Sequence, residues 1–107
     1  MSLTVAIHPE AVAELEAEVM WYEDRGDGLG LRLRANANKV VRGLLRWPDS
    51  GRVWPGAHPT LTVRSHGVSD YPFRVVYAAR GTELFIAAFA HNKRKPGYWR
   101  DRFDDEV

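Results

Sequence analysis

Leu84-Phe85-Ile86-Ala87-Ala88-Phe89-Ala90 is an unbroken apolar run that delivers His91 into Lys93-Arg94-Lys95-Pro96-Gly97-Tyr98-Trp99-Arg100. A strand that is apolar on both pleat faces needs cover on both sides, so the run predicts a central place in a sheet. Helices should lie on one side of it and further chain on the other. Just upstream, Phe73-Arg74-Val75-Val76-Tyr77 reads as a neighbouring strand, bounded by Pro72 and by the turn at Arg80-Gly81. A shorter strand is expected over Leu61-Thr62-Val63-Arg64, followed by a polar turn from Ser65 to Asp70. Connections this short favour antiparallel pairing, which makes a three-strand meander.

The N-terminal half supplies the cover. Leu3, Val5 and Ile7 alternate with Thr4 and Ala6, the period of a strand with one buried face. Pro9 stops that strand and opens a helix, with His8 as its cap and Glu10 in its first turn. Val12, Leu15, Val19 and Tyr22 recur at helical spacing, so a helix is expected over 9–25, ended by Gly26, Gly28 and Gly30. A second helix is expected over 29–47, with Leu29, Leu33, Ala37, Val40, Val41, Leu44 and Leu45 in one apolar stripe and Pro48 as its stop. Residues 48–60, rich in proline and glycine, read as a loop. They carry Trp54, which either anchors a partner or plugs the edge of the core. The expected fold class is α+β: a strand, a helical hairpin packed on one sheet face, then the meander.

At 107 residues there is room for one domain, expected over 1–107, and the 45% hydrophobic and 27% charged composition is that of a globular protein. No apolar run approaches the roughly 20 residues that span a bilayer, and the N-terminus lacks a secretory pattern. No membrane association is expected, and the cytoplasm is the default location. The absence of cysteine excludes a disulfide framework and a thiolate metal site, and nothing in the chain calls for a cofactor.

The net charge of +1 conceals a segregation of sign. Residues 1–30 hold seven acids against one base, residues 31–103 hold fourteen bases against four acids, and the tail ends in Asp104, Asp105 and Glu106. A basic body with an acidic first helix implies two faces with different partners, a polyanion on one and a protein segment on the other. The plainer alternative is that the acids solvate the first helix and favour its N-terminal end.

Several motifs occur in order along the chain: Glu14-Leu15, Trp21-Tyr22-Glu23, Gly28-Leu29-Gly30, Val63-Arg64, Tyr71 to Tyr77, and Ala90-His91-Asn92-Lys93-Arg94-Lys95-Pro96-Gly97-Tyr98-Trp99-Arg100-Asp101-Arg102. In that order they resemble the RelE/ParE superfamily of type II toxin–antitoxin toxins, which includes proteins described as plasmid stabilisation proteins. The resemblance implies a small antiparallel sheet packed against a helical hairpin. It also implies a growth-inhibiting toxin neutralised by a cognate antitoxin whose disordered tail folds on binding. Members of the superfamily either cleave messenger RNA on the ribosome or poison DNA gyrase, and the fold does not choose between these targets.

For RNA cleavage the chemistry needs a base for the 2′-hydroxyl, cations around the phosphorane-like charge and an acid for the leaving oxygen. His91 is the candidate acid or base. Arg64 and Arg94 are the candidate cations, Arg74 a third member of the cluster, and Tyr98 a group that stacks on a base or orients the phosphate. The best-understood ribonucleases of the superfamily add a lysine cluster or a glutamate base near the second strand. Here residues 58–70 offer His58, Arg64, His66 and Asp70. Gyrase poisoning needs no catalytic group, only a surface such as Trp54, Tyr98, Trp99 and the basic residues would form. A non-catalytic nucleic-acid- or protein-binding domain is the third reading. In the plainest one, the basic segment is solvated while Tyr98 and Trp99 fold back on the core.

Overall fold

The structure, a computed structural model, describes residues 3–106. Strand β1 (Thr4–Ile7) leads into helices α1 (Pro9–Glu23) and α2 (Leu29–Arg46). Strands β2 (Arg52–Val53), β3 (Arg64–Gly67), β4 (Phe73–Arg80) and β5 (Glu83–His91) follow, and a 3-10 helix closes the chain at Arg100–Asp104. The sheet order is β1-β5-β4-β3-β2, with β1 parallel to β5 and the other pairs antiparallel. The apolar run is therefore central, as its composition demands.

Two sequence expectations shift. The strand expected over Leu61–Arg64 lies three residues later, at Arg64–Gly67, so it takes in most of the stretch read as a polar turn. The reason is tertiary: β4 is eight residues long, and its backbone groups from Arg74 to Tyr77 pair with Arg64–Gly67 despite the polar side chains there. Val63 is buried all the same, and its carbonyl accepts from the Trp54 N–H. Within 48–60, read as loop, Pro48–Ser50 forms a 3-10 turn and Arg52–Val53 an edge strand. The helices end one or two residues earlier than the periodicity indicates, and Val12 and Leu29 of their apolar stripes are exposed.

Each sheet face buries its own cluster. Leu84, Ile86 and Phe89 of β5 join Val75, Tyr77 and Phe73 under Ala11, Val19, Leu33, Ala37 and Leu44 of the helices. Phe85, Ala87 and Ala88 face the other way, onto Val63, Val76, Ala78, Trp99 and Phe103. A bulge opposite Val76 and Tyr77 puts Ala87 and Ala88 on the same side, so the inward residues change from even to odd numbers along β5. The cover on the second face is the C-terminal segment: Trp99 and Phe103 are each only 2% exposed. The helical hairpin closes tightly because residue 30 is glycine; a Cβ there would collide with the Val19 carbonyl. Gly51 serves the same need at the other end of α2, where the Tyr77 hydroxyl accepts from its N–H at 3.0 Å and donates to the Pro48 carbonyl at 2.7 Å.

Candidate functional site

The strand exit after His91 turns back over the second sheet face and encloses a cleft of about 110 Å³. Its floor is Ser65, Arg74, Val76 and Ala90, and its walls are Trp54 and the segment from His91 to Trp99. Of the five candidate residues, His91, Arg74, Arg94 and Tyr98 border this cleft. Arg64 does not. The pleat explains the difference: Arg64 lies opposite Tyr77 and so faces the helices, whereas Arg74 lies opposite Gly67 and Ala90 and faces away from them. The Arg64 guanidinium donates to the carbonyls of Asp49 and Gly51, both at 3.1 Å, and lies 3.7 Å from the Asp49 carboxylate. There it ties the end of α2 to the sheet.

Arg74 is spread along β3. Its Nε donates to Ser65 Oγ at 2.9 Å and a terminal nitrogen donates to the Ser65 carbonyl at 3.1 Å. No carboxylate pairs with it among the described residues. Burial, with the charge of Arg52 added, lowers its pKa from the usual guanidinium value. Arg94 stacks on the Tyr98 ring with its central carbon 4.1 Å from the centroid. These groups, with Lys95, make the cleft cationic and aromatic.

The imidazole and the phenol are both engaged elsewhere. The His91 ring packs edge-on against Phe73 at 5.0 Å, and its Nδ1 accepts from the Lys93 N–H at 3.0 Å. That bond assigns the neutral ring's proton to Nε2, so the neutral ring donates rather than accepts at its free nitrogen. The Tyr98 hydroxyl donates to Glu14 at 2.7 Å. Burial, then the hydrogen bond and negative charge of Glu14, push the phenol well above its usual pKa and hold it protonated.

Glu14, which in the sequence stands only in the Glu14-Leu15 motif and among the acids of the first helix, is the hub of this network. One carboxylate oxygen accepts from the Phe89 N–H at 3.2 Å and from Arg102 at 3.0 Å; the other accepts from Tyr98 and from Arg102 at 3.1 Å. Arg102 also donates to the Ala87 carbonyl at 3.0 Å. Burial works against the Arg102 charge, but the hydrogen bonds and charge of Glu14 outweigh it and raise the guanidinium pKa. The two side chains occupy backbone groups of β5 beyond the end of β1, so an ion pair continues the sheet ladder where the strand stops. The available sequence signal was Arg102 sitting between Trp99 and Phe103, a charge among residues that must be buried.

The other histidines also have structural partners. His8 caps α1 by accepting from the Glu10 N–H at 3.0 Å and contacts Asp105 at 2.7 Å. His58 accepts from the N–H groups of Thr60 and Leu61 and contacts Asp104 at 2.9 Å. His66, expected in a polar turn, lies on β3 with Nδ1 2.8 Å from the Gly67 carbonyl. Trp54 packs edge-on against Trp99 at 5.3 Å and so plugs the core rather than standing free.

Two helices on one face of this mixed five-strand sheet make a RelE/ParE-like fold. Among solved structures, a chain of the chromosomal ParDE TA system from P. aeruginosa superimposes with a TM-score of 0.69 at 21% identity, over 83% of this chain and 95% of that one. No protein-family model matches the sequence, and no curated protein matches it. No helix among the described residues is long and apolar enough to cross a membrane.

Proposed function

We propose that this chain is the toxin of a type II toxin–antitoxin module, held inactive in the cytoplasm by a cognate antitoxin, and that it acts by binding its target rather than by cutting RNA. The fold shared with a chain of a ParDE system supports the toxin reading. One observation carries the binding mechanism: four of the five candidate groups border one cleft, but the cation Arg64 is absent from it and the phenol and imidazole are engaged by other partners. Arg64 is on the opposite sheet face, the Tyr98 hydroxyl is given to Glu14, and His91 Nδ1 is occupied by a backbone N–H. What remains is an electropositive, aromatic-walled cleft suited to contact with a protein–nucleic-acid target such as DNA gyrase.

Messenger RNA cleavage on the ribosome is the second reading, favoured by Arg74 and Arg94 lining one cleft, with the His91 ring turned to Phe73 on the other sheet face. Induction of the chain alone in bacteria separates the two. The binding mechanism expects growth arrest with altered supercoiling or DNA breakage and intact transcripts. Cleaved transcripts with unaltered supercoiling would reverse the choice, and growth without arrest would favour a non-catalytic binding domain.

A further inference from the structure

β5 outruns its parallel neighbour. β1 pairs with Glu83–Ile86 only, because Pro9 turns the chain into α1, and from Ala87 to His91 no strand among the described residues lies along that edge. The pairing of β5 with β4 decides which groups face the gap. The Asn92 N–H donates to the Pro72 carbonyl at 2.9 Å, and the Phe73 carbonyl accepts from Val68 on the far side. Phe73–His91 and Val75–Phe89 are therefore the non-hydrogen-bonded pairs of the ladder, and Phe89 and His91 turn their own N–H and C=O outward.

Of those four groups, two are already engaged. The Phe89 N–H donates to Glu14, and the His91 carbonyl accepts from the Arg94 N–H at 3.0 Å. The Phe89 carbonyl and the His91 N–H have no partner among the described residues. They border a groove of about 320 Å³ between α1 and β5, with Ala13, Ala17, Phe73 and Phe89 as its apolar lining and Glu18 and Arg94 among its charges.

We propose that this edge receives one extended segment of the antitoxin, running parallel to β5; the inference rests on the toxin reading above. An antiparallel segment needs both the N–H and the C=O of one residue, and neither Phe89 nor His91 has both free. A residue of a parallel segment gives its N–H to the carbonyl on one side of its opposite number and takes the N–H on the other. The open pair, Phe89 C=O and His91 N–H flanking Ala90, suits that pattern alone. The residues before and after the bridging one point to the helix face. The first sits beside Phe89 and is apolar; the second sits beside His91 and is acidic, because Arg94 has no ion-pair partner among the described residues. A second copy of this chain fits less well, since neither edge strand, Thr4–Ile7 or Arg52–Val53, carries an acid.

The test titrates the 15N-labelled full chain with the protein encoded by the adjacent gene and follows amide exchange by NMR. The His91 amide should gain roughly tenfold or more protection. His91→Pro removes the outward N–H together with the ring contacts to Lys93 and Phe73, and His91→Ala removes the ring contacts alone; the proline variant should weaken the complex roughly tenfold, whereas the alanine variant should stay within about twofold. A complex that leaves His91 exchange unchanged overturns the edge inference and spares the toxin reading. Absence of any complex overturns both, and the same protection produced by self-association overturns the choice of occupant.

Discussion

Replacing Glu14 with alanine tests the ion pair that stands in for the missing strand. The side chains of Glu14 and Arg102 are 15% and 13% exposed, so solvent screens their attraction little. Truncation removes four hydrogen bonds at once and leaves the Arg102 guanidinium, the Tyr98 hydroxyl and the Phe89 N–H seeking partners. Breaking a buried pair from one side costs about 3–5 kcal/mol. Glu10, whose carboxylate is 3.7 Å from Arg102, recovers part of that, so about 2–4 kcal/mol is expected. For a chain of this size the melting temperature should fall by roughly 10–20 °C. Urea unfolding followed by circular dichroism at pH 7 measures the loss. The double variant Glu14→Leu, Arg102→Met removes both charges and should regain part of the stability, because no buried charge is left unpaired although the Phe89 N–H, the Tyr98 hydroxyl and the Ala87 carbonyl still lose their partners. A loss below about 1 kcal/mol for Glu14→Ala, or a double variant no better than the single, would refute the reasoning.

Other expectations follow from individual contacts. Tyr98 holds its proton in the folded state while the unfolded phenol ionises near pH 10.0, so its contribution is complete below that pH and declines above it. Tyr98→Phe should flatten the alkaline limb of a stability–pH curve, and an unchanged limb would contradict the Glu14 contact. Glu23 accepts from the N–H groups of Leu31, Gly28 and Gly30, which lower its carboxyl pKa; that contribution is present above pH 4.5 and lost on acidification. Glu23→Gln should therefore reduce the acid-side slope measured by urea titration. Arg64→Ala should lower stability by about 1–2 kcal/mol through its lost carbonyl bonds, yet leave toxicity unchanged at equal protein abundance. Arg74→Ala and Arg94→Ala should relieve growth arrest while the fold persists. Trp99→Ala should cost about 3–5 kcal/mol, since its indole fills the core on the sheet's second face.

Much of the architecture was legible because it depends on local periodicity. The apolar stretch from Leu84 to Ala90 required two covered faces, the spacing of Leu33, Ala37 and Leu44 required a helix with one inward stripe, and Pro9 and Pro48 set helix ends. β3 was misplaced because Arg64-Ser65-His66-Gly67 carries no apolar alternation; it is a strand only because β4 offers it a partner. The candidate site was partly legible. Residue types pointed to His91, Arg94 and Tyr98 near one strand end, and Arg74 joins them, but which way each side chain is held was not written in its neighbours.

The sequence alone determined the order of elements, the central place of β5 and the gathering of cationic and aromatic groups after it, since composition and spacing act over a few residues. Only the tertiary structure decided that Arg64 and Arg74 lie on opposite faces, because a side chain's face depends on strand register, and register is set by pairing partners. It alone joined Glu14 to Arg102, 88 residues apart, because a buried charge takes its partner from whatever the packed sheet and helix bring within reach.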